Sequence, residues 1–179
     1  LLLPSNEGAP IMSFGMYQAS IPGFVKTLNN LTAILDKAER YVAERKIDPE
    51  VLLTWRIAPD MFPLTRQIQL TSDFAKSAPA RLAGKEVPKY PDEEKTFAEL
   101  KARIAKTLKF VEGFTAKDLD GSETRDVTFT LGGQNVHFKG EAYLVHFVLP
   151  NFYFHATTAY DIIRSFGVEV GKRDYMGNY

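Results

Sequence analysis

Apolar residues recur in helical register along four stretches of the chain. Between Ser20 and Ala43, Phe24, Leu28, Leu31, Leu35, Ala38 and Val42 fall on one face of an amphipathic helix. Ser20 offers a capping oxygen, and Pro22 is tolerated in a first turn. Asp48-Pro49-Glu50 is a helix opening, and the pattern predicts a short helix through Ile57. A second long helix is predicted from Pro63, with Leu64, Ile68, Thr71, Ala75, Ala78 and Leu82 on its stripe. Pro79 is expected to kink or weaken its last turns. Gly84 through Pro91 reads as a loop. Thr96 and Glu99 then form a capping-box pair, opening a third helix lined by Phe97, Leu100, Ile104, Leu108 and Val111. The fourth long helix is predicted after Pro150, with Phe152, Ala156, Ala159, Ile163 and Phe166 inward and Gly167 just past its end.

Between the third and fourth helices the period changes from helical to alternating. Val127, Phe129 and Leu131 alternate with Thr128 and Thr130, which reads as a strand. Gly132-Gly133 is a two-residue hairpin turn. It sets Leu131 against Gln134, Phe129 against Val136, and Val127 against Phe138, with apolar side chains meeting on one face. Four long helices and one hairpin define a mainly α fold, a four-helix bundle with a small β-hairpin in the connection before the last long helix. That connection, about residues 115–149, is long enough for a crossover.

Composition narrows the picture. The 179 residues suit one domain, expected over 12–179. LLLPSNEGAP lacks the basic flank of a secretory signal, so residues 1–11 are expected to be a disordered leader or expression remnant. Met12, or else Met16, would then be the native start. Lys plus Arg and Asp plus Glu are both 22, and that balance argues against a nucleic-acid partner. No run approaches the ~18 apolar residues of a membrane helix. The absence of cysteine excludes disulfides, thiolate zinc sites and cysteine nucleophiles, and fits a cytoplasmic protein.

Chemistry would have to come from few residues. There are three histidines. On a helical wheel His155 lies about 60° from the centre of the fourth stripe, at the border of the core. Asn151 sits one turn earlier on the same flank, and Gln67 takes the matching flank of the second helix. These three are the candidate pocket residues, with a packed histidine satisfied by its neighbours as the plainer reading. His137 falls on the polar face of the hairpin with Thr128. His146 has no assignable face. GVEVGK resembles a phosphate loop but lacks the spacing, the Ser/Thr and the strand-to-helix setting of that motif. Residues 171–177 read instead as a tail folded on the bundle, fixed by ion pairs of Lys172, Arg173 and Asp174.

The segments MYQASIPGFVKTLNNL, RIAPDMFPLTRQIQ, RLAG, TFAELKARIAKTL, LPNFYFHATTAYDIIR and GVEVGKRDYMG span most of the chain from Met16. On these the sequence resembles an uncharacterised family, domain of unknown function nineteen ninety-three, a branch of the DinB/YfiT-like superfamily. The resemblance implies a four-helix bundle, often a homodimer. It also implies, for many superfamily members, a divalent metal held by one histidine of the second helix and an H-x-x-x-H pair of the last. In this sequence His155 takes the second place of that pair, Asn151 the first, and Gln67 is nearest to the remaining place. One imidazole with two amides is a poor set for zinc or nickel.

The reading drawn from the sequence is a small-molecule binding or interaction module with a degenerate metal site, no cofactor, and a homodimer partner. The alternative is a metal-dependent enzyme of the DinB/YfiT-like type, a thiol-dependent transferase or hydrolase, holding zinc or nickel. A helical DNA-binding module is a third class, opposed by the neutral charge.

Overall fold

The computed structural model describes residues 14–177; the expected leader at residues 1–11 lies outside them. The chain order is α1 (Met16–Glu44), α2 (Pro49–Leu53), α3 (Leu64–Leu82), α4 (Phe97–Val111), α5 (Ala116–Leu119), β1 (Asp126–Leu131), β2 (Gln134–Lys139), α6 (Gly140–Ala142), a π-helical turn (Tyr143–Val148), α7 (Leu149–Ser165) and α8 (Lys172–Met176). The four long helices form a ring in which α1 meets α4, α4 meets α3, α3 meets α7, and α7 returns to α1. α1 and α3 barely touch, so the first connection carries the chain across the end of the bundle to a diagonal position. The third connection does the same from α4 to α7. The four stripes supply the interior: Phe24, Leu28, Leu31, Leu35, Ile68, Ala75, Leu100, Ile104, Phe152, Ala159 and Ile163 are all fully buried. Phe24 and Phe152 meet edge to face at 4.7 Å, tying α1 to α7. Among the described residues no helix is long and apolar enough to cross a membrane.

Three boundaries differ from the sequence reading. α1 starts at Met16, not Ser20, and Ser20 caps nothing; its Oγ donates to the Met16 carbonyl at 2.6 Å from inside the helix. The first turn is satisfied from a distance, because Asp120 Oδ1 accepts from the Tyr17 N–H at 3.0 Å. Gly15 permits that approach: a Cβ there would stand 2.5 Å from the same oxygen. α2 stops at Leu53 rather than Ile57, leaving Trp55 and Ile57 on an irregular exposed segment. The last long helix begins before Pro150. Residues 140–165 are helical without a break, and Pro150 sits just inside α7, after a π-helical turn. Proline lacks an N–H and its ring crowds the carbonyl four residues back. A wider turn immediately before it accommodates both.

Pro79, expected to kink or weaken the last turns, does not end α3, which runs on to Leu82. Other expectations hold. Thr96 Oγ1 accepts from Glu99 N–H at 3.1 Å while Glu99 Oε2 accepts from Thr96 N–H at 3.0 Å, the full reciprocal cap. The hairpin register pairs Leu131 with Gln134, Phe129 with Val136 and Val127 with Phe138. Gly132 and Gly133 have φ of 57° and 82°, the left-handed pair that a type I′ turn requires. The tail does return to the bundle: Asp174 pairs with Lys37 at 2.7 Å, and Asn30 donates to the Tyr175 carbonyl at 2.9 Å. Lys172 and Arg173 are exposed, so Asp174 alone of the three expected residues makes that ion pair.

Gly140 joins the hairpin to the last helix at a point of close approach. A Cβ on it would lie 2.0 Å from the Ser122 carbonyl oxygen, and the adjacent Glu141 N–H donates to Glu123 O at 2.9 Å. Backbone cannot give way as a side chain can. Gly140→Ala should therefore destabilise the fold by about 2 kcal/mol, read as a lower urea midpoint with unchanged slope. An unchanged midpoint would contradict this contact.

Candidate functional site

Gln67 lies one turn into α3 and His155 lies near the middle of α7, so the α3–α7 seam brings them together. Gln67 Nε2 donates to the Phe62 carbonyl at 3.1 Å. That fixes the amide, leaving Oε1 to accept from His155 Nδ1 at 2.8 Å. The imidazole is thereby held as the Nδ1–H tautomer with its lone pair on Nε2. Its ring lies parallel to Phe74, with centroids 5.7 Å apart, and meets the edge of Phe154 at 5.2 Å. His155 is only 8% exposed. Burial, reinforced by the nearby Arg66 guanidinium, lowers its pKa to about 4. The ring is accordingly neutral at physiological pH, and among the described residues Nε2 has no hydrogen-bond partner.

Asn151 does not join this pair through its amide. It is half-buried, and its Nδ2 donates to the Phe147 carbonyl one turn back at 2.7 Å. The three sequence candidates thus separate into a Gln67–His155 pair and an Asn151 spent on its own helix. A divalent cation does not suit this set. One imidazole nitrogen carries a free lone pair, Gln67 Oε1 is already engaged by His155 Nδ1, and the Asn151 amide is held on its own helix. Among the described residues no three His, Cys, Asp or Glu side chains converge into a metal-binding group. His137 is exposed on the polar hairpin face, as expected, within 3.1 Å of Thr128 and Asp126. His146 is exposed.

Sequence reasoning missed a second cluster, centred on Arg103 of α4. Its side chain is 2% exposed, and it pairs with Asp73 at 2.8 Å, Asp92 at 3.0 Å and Glu94 at 3.0 Å. It also donates to the Pro91 carbonyl at 3.0 Å. Lys76 pairs with Asp73, Arg66 with Asp92, and Gln69 Nε2 donates to Glu94 Oε2 at 2.9 Å. This lattice ties the 84–96 connection to α3 and α4. A cavity of about 340 Å³ opens beside it, lined by Tyr90, Glu94, Arg103 and Lys106. The signal was available: position 103 shares a face with Leu100, Ile104 and Thr107, and a charge on an apolar stripe must find partners. Phe74 was also missed, because its place against His155 depends on where α7 lies.

The fold and the α3–α7 seam together define a four-helix bundle with a hairpin inserted before its last long helix. A crystal structure of a DinB family member protein from Shewanella denitrificans is similar at 42% sequence identity, over 92% of this chain and 93% of that one, with a TM-score of 0.83. A family model described as a domain of unknown function (DUF1993) matches residues 16–176, and the chain belongs to that family. No curated protein matches it.

Two outcomes test the site and its support. A histidine whose folded pKa lies near 4, below its unfolded value of about 6.5, stabilises the fold fully above pH 6.5. That contribution is lost as pH falls from 6.5 through 4, by roughly 3 kcal/mol at the limit. Urea unfolding at several pH values should show this slope in the wild type and a flatter one in His155→Gln; equal slopes would refute it. Arg103→Met strands three partly exposed carboxylates, and should cost about 2–4 kcal/mol. A loss below about 1 kcal/mol, the range of surface pairs, would show that the cluster is not held by Arg103.

Proposed function

We propose that this protein is a small-molecule binding module whose recognition element is the neutral His155 imidazole, and that it works without a bound metal. The observation that carries this reading is the chain Phe62 carbonyl, Gln67 amide, His155. It fixes one tautomer and offers the Nε2 lone pair beside Phe74 and Phe154. A buried acceptor of fixed direction against aromatic walls suits a small molecule carrying an O–H or N–H donor. The protein acts as a cytoplasmic homodimer. Exposed Trp55, Ile57 and Phe62 on the segment between α2 and α3 support self-association, since such apolar groups gain by burial against a copy.

Elemental analysis of protein purified without chelator or histidine tag is expected to find substoichiometric transition metal. One metal per chain, lost in His155→Ala, would overturn the proposal in favour of a metal-dependent transferase or hydrolase. Light scattering should give the mass of two chains for the wild type and one chain for Ile57→Glu. A monomer at every wild-type concentration would end the dimer reading.

A further inference from the structure

Several cations of the long helices have carboxylate partners, whereas Arg81 is held by a hydroxyl group and aromatic rings. Arg103, Arg66, Lys76, Lys37 and Lys101 all have carboxylate partners. Arg81, in the last turn of α3, pairs with no carboxylate among the described residues. Its Nη1 donates to the hydroxyl of Tyr143 at 2.9 Å, and its guanidinium lies 4.1 Å from the Phe129 ring centroid. Both contacts hold the fork in place without cancelling its charge.

The fork borders a cavity of about 250 Å³ between α3, the hairpin and the π-helical turn. Leu70, Phe74, Phe129 and Phe147 give it apolar walls. Asp73 and Lys76 also line it, but they pair with each other, and Asp73 is held in addition by Arg103 at 2.8 Å. Neither therefore presents a net charge to the space. The volume falls just short of the ~300–1,000 Å³ of sites for drug-sized ligands, which suits a molecule with one ring. We infer that this cavity binds a small aromatic carboxylate, its ring among Phe74, Phe129 and Phe147 and its carboxylate on Arg81. A guanidinium presents parallel N–H groups that match a carboxylate, and low-dielectric walls strengthen that pair. The π-helical turn contributes directly, because it places Phe147 on one wall and Tyr143 behind the fork.

This inference is independent of the His155 reading, although the Phe74 ring separates the two places. The test is isothermal titration calorimetry with benzoate as the probe and benzyl alcohol as its uncharged counterpart. Benzoate should bind the wild type saturably at one per chain, with benzyl alcohol about tenfold weaker or more. Arg81→Met should weaken benzoate by at least about tenfold. Thr130→Trp fills the cavity from the exposed hairpin side and should do the same with Arg81 intact, which decides the matter if Arg81→Met does not fold. His155→Gln should leave benzoate affinity within about twofold. No saturable binding, equal affinity for the alcohol, or normal affinity in Thr130→Trp would overturn the proposal. So would loss of binding in His155→Gln with Arg81→Met unaffected, since the probe would then occupy the other site.

Discussion

The seam between α3 and α7 is the contact on which the rest of the molecule depends. Both helices turn small residues inward: Thr71, Ala75 and Ala78 from α3, Ala156 and Ala159 from α7, all fully buried. Small side chains let two helices approach closely, and close approach brings polar groups at their borders within hydrogen-bond range. The Gln67–His155 bond is one result. The stack of Phe74 on His155 and the edge contact of Phe74 with Phe147, at 5.7 Å, are others. Were the seam wider, the imidazole would lose its amide partner and its aromatic cover together.

Charge is distributed by the same seam. The chain is neutral in sum, yet its groups are sorted locally. On the α4 side of α3, Arg103 gathers Asp73, Asp92 and Glu94 into a lattice that fixes the 84–96 connection. On the hairpin side, Arg81 is braced by aromatic and hydroxyl groups instead. The first arrangement is saturated and structural. The second keeps its positive charge at the edge of an apolar space. Buried or half-buried cations of one chain thus serve opposite ends, and the number of carboxylates around each tells them apart.

Much of the fold was legible because its elements obey single periods. The stripes of α1, α3, α4 and α7 follow from 3.6-residue spacing, and the register of β1 and β2 follows from Gly132-Gly133. What was not legible involves partners far apart in sequence. The start of α1 is satisfied by Asp120, and no local signal announces an oxygen supplied from 103 residues away. The early start of the last helix was hidden by Pro150, which reads as a boundary unless a wider turn absorbs it. At the candidate site, Gln67 and His155 could be placed on facing flanks by wheel geometry. The orientation of the Asn151 amide could not, because its acceptor, the Phe147 carbonyl, lies in the helical turn that Pro150 concealed. Arg81 gave no sign at all, since an unpaired cation is recognised only once its surroundings are known.

The wider turn at Tyr143–Val148 sets a rule for what this stretch of chain tolerates. One residue corresponds to about 100° of helical rotation. A π-helical turn holds one residue more than an α-turn, so removing one position here would restore ordinary winding and leave the inward Phe152, Ala156 and Ala159 in phase, whereas removing one from within α7 would turn every later side chain through that angle. Val145 and His146, by contrast, already face outward. Over these six residues the chain can therefore lose one position at little cost to the inward face of α7, whereas a further insertion has no second wide turn to absorb it.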